Sequence, residues 1–177
     1  MFLLPLSVCV ICQEVRLPTG QIKGHYMTSR NGNQFAAYDG IPYGEPPTGS
    51  RRFLPAVPPA NWEGVKHCSS PPGPCPQQVP GAGVIGNEDC LFLNVYHPLV
   101  SGDQLLPVIV WFHGGAFMFG ASNRLFNGPE YLVDEGVIMV SVNYRLGPLG
   151  FLSLGTPDVS GNQVCRKKST FSYKLQR

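Results

Sequence analysis

The residues best suited to chemistry in this sequence are His113-Gly114-Gly115-Ala116. They follow Val108-Ile109-Val110-Trp111-Phe112, an apolar, β-branched run of the kind buried on both faces of a parallel sheet. Small residues directly after such a strand let the backbone approach a ligand closely and aim amide N–H groups at it. Paired N–H groups can stabilise the oxyanion formed when an acyl carbonyl is attacked. The same chemistry needs a nucleophile. The pattern Gly-x-Ser-x-Gly, which presents a serine on a sharp strand-to-helix turn, occurs nowhere in the 177 residues. The nearest serine context, Gly120-Ala121-Ser122-Asn123-Arg124, lacks the final glycine and does not follow a buried strand.

The elements that must position this turn follow from turn residues and apolar periodicity. Residues 15–23 form a predicted hairpin around Pro18-Thr19-Gly20. Residues 25–28 and 34–38 flank Asn31-Gly32-Asn33, a second hairpin signal. Residues 41–61 are proline-rich coil, and 69–86 are loop. Residues 91–96 alternate and read as a strand. Residues 108–112 are a fully buried strand, 129–135 a short helix between Pro129 and Gly136, and 137–142 a third buried strand. Strand, loop, strand, helix, strand is an α/β pattern. The sequence contains no internal repeat.

Composition narrows the class. The length fits one domain and the apolar share of 43% is ordinary for a folded chain. Glycine (21) and proline (18) are abundant, and the prolines crowd into the first half, where the turns are. The net charge of +2 is an average over unlike parts: residues 164–177 hold five Lys/Arg and no acid, and the rest is slightly acidic. No nucleic-acid-binding motif accompanies that tail, so no nucleic-acid partner is expected. Residues 1–12 start with a nearly unbroken apolar run, too short to span a bilayer. It resembles the apolar core of a secretory signal, the other reading being a buried strand. No transmembrane span is expected, and no Asn-x-Ser/Thr sequon occurs.

Six cysteines are present. Cys9 and Cys12 lie in the apolar leader and Cys165 in the tail, leaving Cys68, Cys75 and Cys90, among which spacing alone does not choose a pair. No cysteine or histidine pairing suits a metal, so neither metal nor cofactor is expected. His25, His67 and His97 read as ordinary turn or surface residues.

Several motifs occur in order: Tyr38-Asp39-Gly40-Ile41-Pro42-Tyr43-Gly44-Glu45-Pro46-Pro47, Arg52-Phe53, Trp62-Glu63-Gly64, Cys75-Pro76-Gln77, Glu88-Asp89-Cys90-Leu91-Phe92-Leu93-Asn94-Val95-Tyr96, His113-Gly114-Gly115-Ala116-Phe117, Asn143-Tyr144-Arg145-Leu146-Gly147 and Gly150-Phe151-Leu152. Together they resemble the type-B carboxylesterases, the cholinesterase-like branch of the α/β-hydrolases, over about residues 15–162. The resemblance implies an α/β-hydrolase fold and hydrolysis of small carboxylic esters through a serine acyl-enzyme. It implies an oxyanion hole at Gly114, Gly115 and Ala116, with Gly115 and Ala116 donating and Gly114 allowing the turn. Alanine keeps its N–H, so Ala116 in place of a third glycine need not remove a donor. His113 belongs to the turn as a structural residue, since the family's catalytic histidine comes far later. The resemblance further implies a Cys75–Cys90 disulfide, leaving Cys68 unpaired, and a buried two-point salt bridge between Arg52 and Glu88. Between Pro76 and Asp89 there is no Trp, Tyr or Phe to face a quaternary ammonium, so general esters fit better than choline esters.

The resemblance also sets expectations about extent. Only the N-terminal portion of the fold is expected: small N-terminal hairpins plus the first strands of a mixed central sheet. Residues 1–12 read as a signal, 13–163 as the family part, and 164–177 as a basic tail unrelated to the family. The nucleophile, acid and histidine base are absent, so the chain reads as a truncated or alternatively terminated carboxylesterase, secreted, and inactive alone. If the leader is not a signal, the location is cytoplasmic. The alternatives are a non-catalytic cholinesterase-like adhesion or binding module and a regulatory fragment. The strand at 108–112 should expose an apolar edge, because its family partner strand comes later in the chain.

Overall fold

In the computed structural model, the described residues are 14–100, 105–125, 127–156 and 159–163. The leader with Cys9 and Cys12, and the tail with Cys165, lie outside them. The first hairpin, β1 (Glu14–Leu17) and β2 (Gly20–Lys23), turns at Pro18 and Thr19. Trp62 closes it: the indole donates to the Gln21 carbonyl at 2.9 Å and lies over Gly20, where a Cβ would sit 2.5 Å from the ring. The second hairpin joins β3 (His25–Thr28) to β4 (Gln34–Pro42), which runs four residues past its expected end. A register shift between Tyr38 and Ile41 carries β4 on, with the Gly40 N–H held by the Asn94 carboxamide. Both hairpins were expected to stand apart from the central sheet. Only the first does, in a three-stranded sheet with β5 (Val65–His67), whereas β3 and β4 belong to the central sheet itself.

The segment expected to be loop contains a further hairpin, β6 (Gln77–Val79) and β7 (Gly83–Ile85). Its strands are three residues each, below the length at which alternation is visible. The central sheet then gains β8 (Phe92–Pro98), β9 (Val108–Phe112) and β10 (Ile138–Val142), in the order β3-β4-β8-β10-β9. All pairings are antiparallel except β10–β9, which is parallel, so the sheet is mixed.

Alternation along β4 and β8 feeds two cores. Ile22, Ala36, Tyr38, Ile41, Leu93 and Val142 pack on one face, against the small sheet. Phe35, Ala37, Tyr96, Val133 and Met139 pack on the other. A third cluster, Cys75, Cys90, Leu91, Tyr144 and Leu146, sits beside the end of β9.

Two expectations need correction. Residues 129–135 form successive turns, not a helix: one bond of helical span, Val133 N–H to Pro129, precedes two tighter ones from Glu135 and Gly136. The bonding tightens to i→i−3 toward Gly136, whose φ of 72° ends the run, so no second bond of helical span follows the first. The one described α-helix, α1 (Gly147–Phe151), was not expected, because Gly-Pro-Leu-Gly-Phe carries no helical pattern. Second, the strand read as fully buried is not: all five residues of β9 are exposed. Its apolar content is high, but its place at the edge of the sheet decides its exposure here. The exposed edge was itself expected from the resemblance.

Candidate active site

His113 leaves the end of β9 and is buried, 5% exposed. Its ring stacks on Tyr144 at 4.4 Å, and its carbonyl accepts the Tyr144 hydroxyl at 2.6 Å. Nδ1 lies 2.9 Å from the Gly114 carbonyl. A carbonyl only accepts, so Nδ1 carries the proton. Burial pushes the imidazole below its usual pKa, against the smaller opposing effect of that hydrogen bond. A neutral ring with Nδ1 committed holds the turn and is not arranged as a general base.

The turn itself is tightly wound. Gly115 has φ 118°, and a Cβ there would lie 1.8 Å from the Phe119 oxygen. Ala116 and Phe117 follow at φ 51° and 61°. Two successive non-glycine residues in the left-handed region cost roughly 1–3 kcal/mol each and persist only when their surroundings over-determine them. Those surroundings are explicit. The Gly115 carbonyl accepts from Met118 and Phe119, the Phe117 carbonyl accepts from Gly147 at the start of α1 at 2.7 Å, and the Phe117 ring lies 5.0 Å from that of Phe151. No described residue accepts a hydrogen bond from the N–H of Gly115 or Ala116.

The far end of the turn is fastened by buried amides. The Gly120 N–H donates to Gln77 Oε1 at 2.8 Å, and Gln77 Nε2 donates back to the Gly120 carbonyl at 2.9 Å. Ser122 follows, 3% exposed. Its N–H donates to Asn143 Oδ1, and its carbonyl accepts from Asn94 Nδ2 and Ser141 Oγ. Its own hydroxyl faces Asn94 Nδ2 at 3.3 Å. Ser122, the nearest serine candidate in the sequence, is a buried member of a polar network. Asn143 is fixed in turn by donation to Gly73, and its carbonyl accepts the Tyr43 hydroxyl, whose pKa burial pushes up.

The cysteines and charges around the turn are placed as follows. Cys75 and Cys90 are bridged, with Cα atoms 5.1 Å apart. Cys68 is a buried free thiol, its pKa raised to about 11 mainly by burial. Arg52 and Glu88 meet at two points, Nε–Oε2 at 2.9 Å and Nη2–Oε1 at 2.7 Å. The pair was expected to be buried, yet the Arg52 side chain is 44% exposed, so solvent screens it and its worth is geometric more than energetic. The buried arginine is Arg145, which donates to the carbonyls of Arg52 and Gln163 and so ties the proline-rich segment to the strand after the turn. His25 also departs from expectation. Its Nε2 lies 3.7 Å from the buried Asp39 carboxylate, which further faces Arg124 and accepts the Tyr96 hydroxyl.

Sequence reasoning placed the turn but missed what holds it: Gln77, Asn94, Ser141, Asn143 and Tyr144. Four of the five lie inside the quoted motifs, yet a polar residue in a strand does not reveal which backbone group it will satisfy.

The site is thus an amide-bearing turn after a sheet strand, backed by a disulfide-closed loop. Residues 12–165 match the carboxylesterase family, and the chain belongs to it. The family's fold is the α/β-hydrolase fold. Its relatives include a carboxylic ester hydrolase of Bombus ignitus, 41% identical over 155 residues, which are 84% of this chain and 28% of that protein. Venom carboxylesterase-6 of Apis mellifera is 39% identical over 157 residues, 85% of this chain and 28% of its own length. Juvenile hormone esterase of Tribolium castaneum is 40% identical over 146 residues, 81% and 25% respectively. The chain thus spans about a quarter of the length of these relatives. Among the described residues, no helix is long and apolar enough to cross a membrane.

Proposed function

We propose that this chain supplies the oxyanion-binding part of a carboxylic ester hydrolase, corresponding to the N-terminal portion of an α/β-hydrolase, and that its 177 residues do not turn over esters by themselves. The observation that carries the reading is the pair of N–H groups at Gly115 and Ala116, without a described acceptor on a backbone held in the left-handed region. An oxyanion formed there would accept from both. The nucleophile has no candidate in these residues: Ser122 is buried and its hydroxyl faces Asn94. The acyl-enzyme route then requires a serine, an acid and a histidine from outside them.

General carboxylic esters are the substrate class, because the stretch from Pro76 to Asp89 offers no aromatic face to a choline cation. The Cys75–Cys90 bridge suits an oxidising compartment and, with the apolar leader, supports a secretory route. Residues 13–163 are read as the family part and 164–177 as a basic tail, against a family match that runs over residues 12–165.

Two experiments test this. The purified chain is expected to leave p-nitrophenyl acetate unhydrolysed beyond buffer; turnover lost in Ser122→Ala would refute it. Fused in place of the matching residues of the Bombus ignitus relative, the chain is expected to support hydrolysis. Gly115→Ala keeps the N–H, but its Cβ would lie 1.8 Å from the Phe119 oxygen and must displace the turn, so kcat should fall by up to about 10²–10³-fold, the loss typical of a misplaced oxyanion donor. Full activity in that variant would sink the oxyanion assignment.

A further inference from the structure

We propose that Gln77 is the positioning residue of the oxyanion turn, a latch through which the disulfide-closed loop sets the turn's geometry. The proposal rests on the reading of Gly114–Ala116 given above. Gln77 opens β6 two residues after Cys75 and is 8% exposed. Its carboxamide meets the Gly120 peptide at two points: Oε1 accepts from the Gly120 N–H at 2.8 Å, and Nε2 donates to the Gly120 carbonyl at 2.9 Å. Nε2 has a second acceptor, the Cys75 carbonyl, at 3.0 Å. One side chain thus clamps Gly120 to the backbone of a disulfide cysteine.

Gly120 is where such a clamp can steer the turn. Its φ is 123°, and a Cβ would lie 2.3 Å from His113 Nδ1 and 2.7 Å from the Gly114 oxygen. The residue that Gln77 holds therefore lies close against the residue that opens the turn and the first residue of the oxyanion run, with no room for a side chain between them. No other side chain described around the turn bonds to Gly120. Tyr144 fixes the His113 end and Asn94 and Asn143 fix Ser122, so without Gln77 the stretch between is held by the turn's internal bonds and the Gly147–Phe117 bond.

A carboxamide can make this two-point bond at any ordinary pH, since it offers a donor and an acceptor in one plane and does not ionise. Methionine fills similar space and makes neither bond. An ionised glutamate keeps the acceptor but sets negative charge against two carbonyl oxygens. A protonated glutamate has both a donor and an acceptor again.

The test uses the ¹⁵N-labelled 177-residue chain and reads the hydrogen-exchange protection of the Gly120 amide together with the amide shifts of Gly115 and Ala116. Gln77→Met is expected to lower Gly120 protection about thirtyfold, the loss of two ordinary hydrogen bonds, and to displace both amide signals while β10 stays protected. Gln77→Glu is expected to behave like Gln77→Met at pH 7 and to regain protection as its carboxyl protonates, a pH profile that space-filling alone does not produce. Reducing the Cys75–Cys90 bridge should raise Gly120 exchange in the unaltered chain and add little in Gln77→Met. Equal Gly120 protection in the unaltered chain and Gln77→Met overturns the proposal, as do Gly115 and Ala116 signals that do not move. If Gln77→Met also unprotects β10, the Gln77→Glu chain decides: no recovery on acidification overturns the proposal. These amides report geometry and the fused chain reports turnover, so either reading can fail without the other.

Discussion

Replacing Asn94 with alanine isolates the network that fixes the exit of the turn after β9, the proposed oxyanion site. Asn94 is fully buried on β8. Its Oδ1 accepts the Gly40 N–H at 2.9 Å, and its Nδ2 faces the Ser122 carbonyl at 2.9 Å, the Ser141 hydroxyl at 3.0 Å and the Ser122 hydroxyl at 3.3 Å. Alanine leaves the Gly40 N–H without its acceptor, at roughly 1–3 kcal/mol for an orphaned buried donor. The Ser122 carbonyl loses less, because Ser141 Oγ still donates to it at 3.1 Å. The small cavity adds on the order of 1 kcal/mol. The expected loss is about 3 kcal/mol. With a urea m-value of about 2 kcal/mol/M, the midpoint falls by about 1.5 M. Ser122→Ala is the control: the Ser122 backbone keeps its bonds to Asn143, Asn94 and Ser141, and one long contact is lost, so the expected cost is under about 1 kcal/mol. Urea unfolding followed by tryptophan fluorescence measures both. If the two variants lose equal stability, Asn94 does not act through the backbone groups of Gly40 and Ser122 and the reasoning fails.

Breaking the disulfide with Cys75→Ser and Cys90→Ser together should cost about 3 kcal/mol, the chain-entropy value for a 15-residue separation, measured by the same unfolding curves. Because burial holds the His113 pKa below its ordinary value of 6.5, the unfolded chain binds the proton more readily. The stability from keeping His113 neutral is therefore complete above pH 6.5 and lost as the pH falls from there toward the folded pKa. Unfolding midpoints of the unaltered chain and His113→Gln should diverge above that value and converge below it. The exposed β9 side chains, with Phe117, Met118 and Phe119, form an apolar surface expected to bind anilinonaphthalene sulfonate; Ile109→Lys and Phe117→Ser should each reduce the fluorescence, and an unchanged signal would place the dye elsewhere.

Turn chemistry made the two N-terminal hairpins legible, because Pro18, Thr19 and Gly20, and then Asn31, Gly32 and Asn33, act within a few residues of the strands they join. The strands β8, β9 and β10 were legible from apolar content. What could not be read was order. Nothing local in residues 138–142 says that they lie between β8 and β9, and burial followed from that: β10 is enclosed and β9 exposed, although both are apolar. The hairpin at 77–85 was too short to announce itself, and the residues at 129–135 had helix-end signals without enough length between them. At the site, the small residues of the turn were visible because glycine has a backbone meaning on its own. The amides that hold it were not, since Gln77 and Gly120 are 43 residues apart and Asn94 and Ser122 are 28 apart. Arg52 and Glu88 were paired correctly through resemblance, while their exposure depends on a surface that a motif does not describe.

The strand order also fixes a sequence of events during synthesis. β9 leaves the ribosome before β10, yet among the described residues it joins the sheet through β10, which occupies the place beside β8. About thirty residues separate the ends of the two strands, and at roughly 5–20 residues per second that is a delay of about 1.5–6 s. Throughout it, Val108–Phe112 and the aromatic residues after them have no strand to dock on. The turn at His113–Phe119 lies inside this crossover, and its anchors Ser141, Asn143, Tyr144 and Gly147 are made last. The turn therefore takes shape only when the crossover closes, and a nascent chain paused before residue 138 holds its most apolar strand open to any chaperone waiting at the exit.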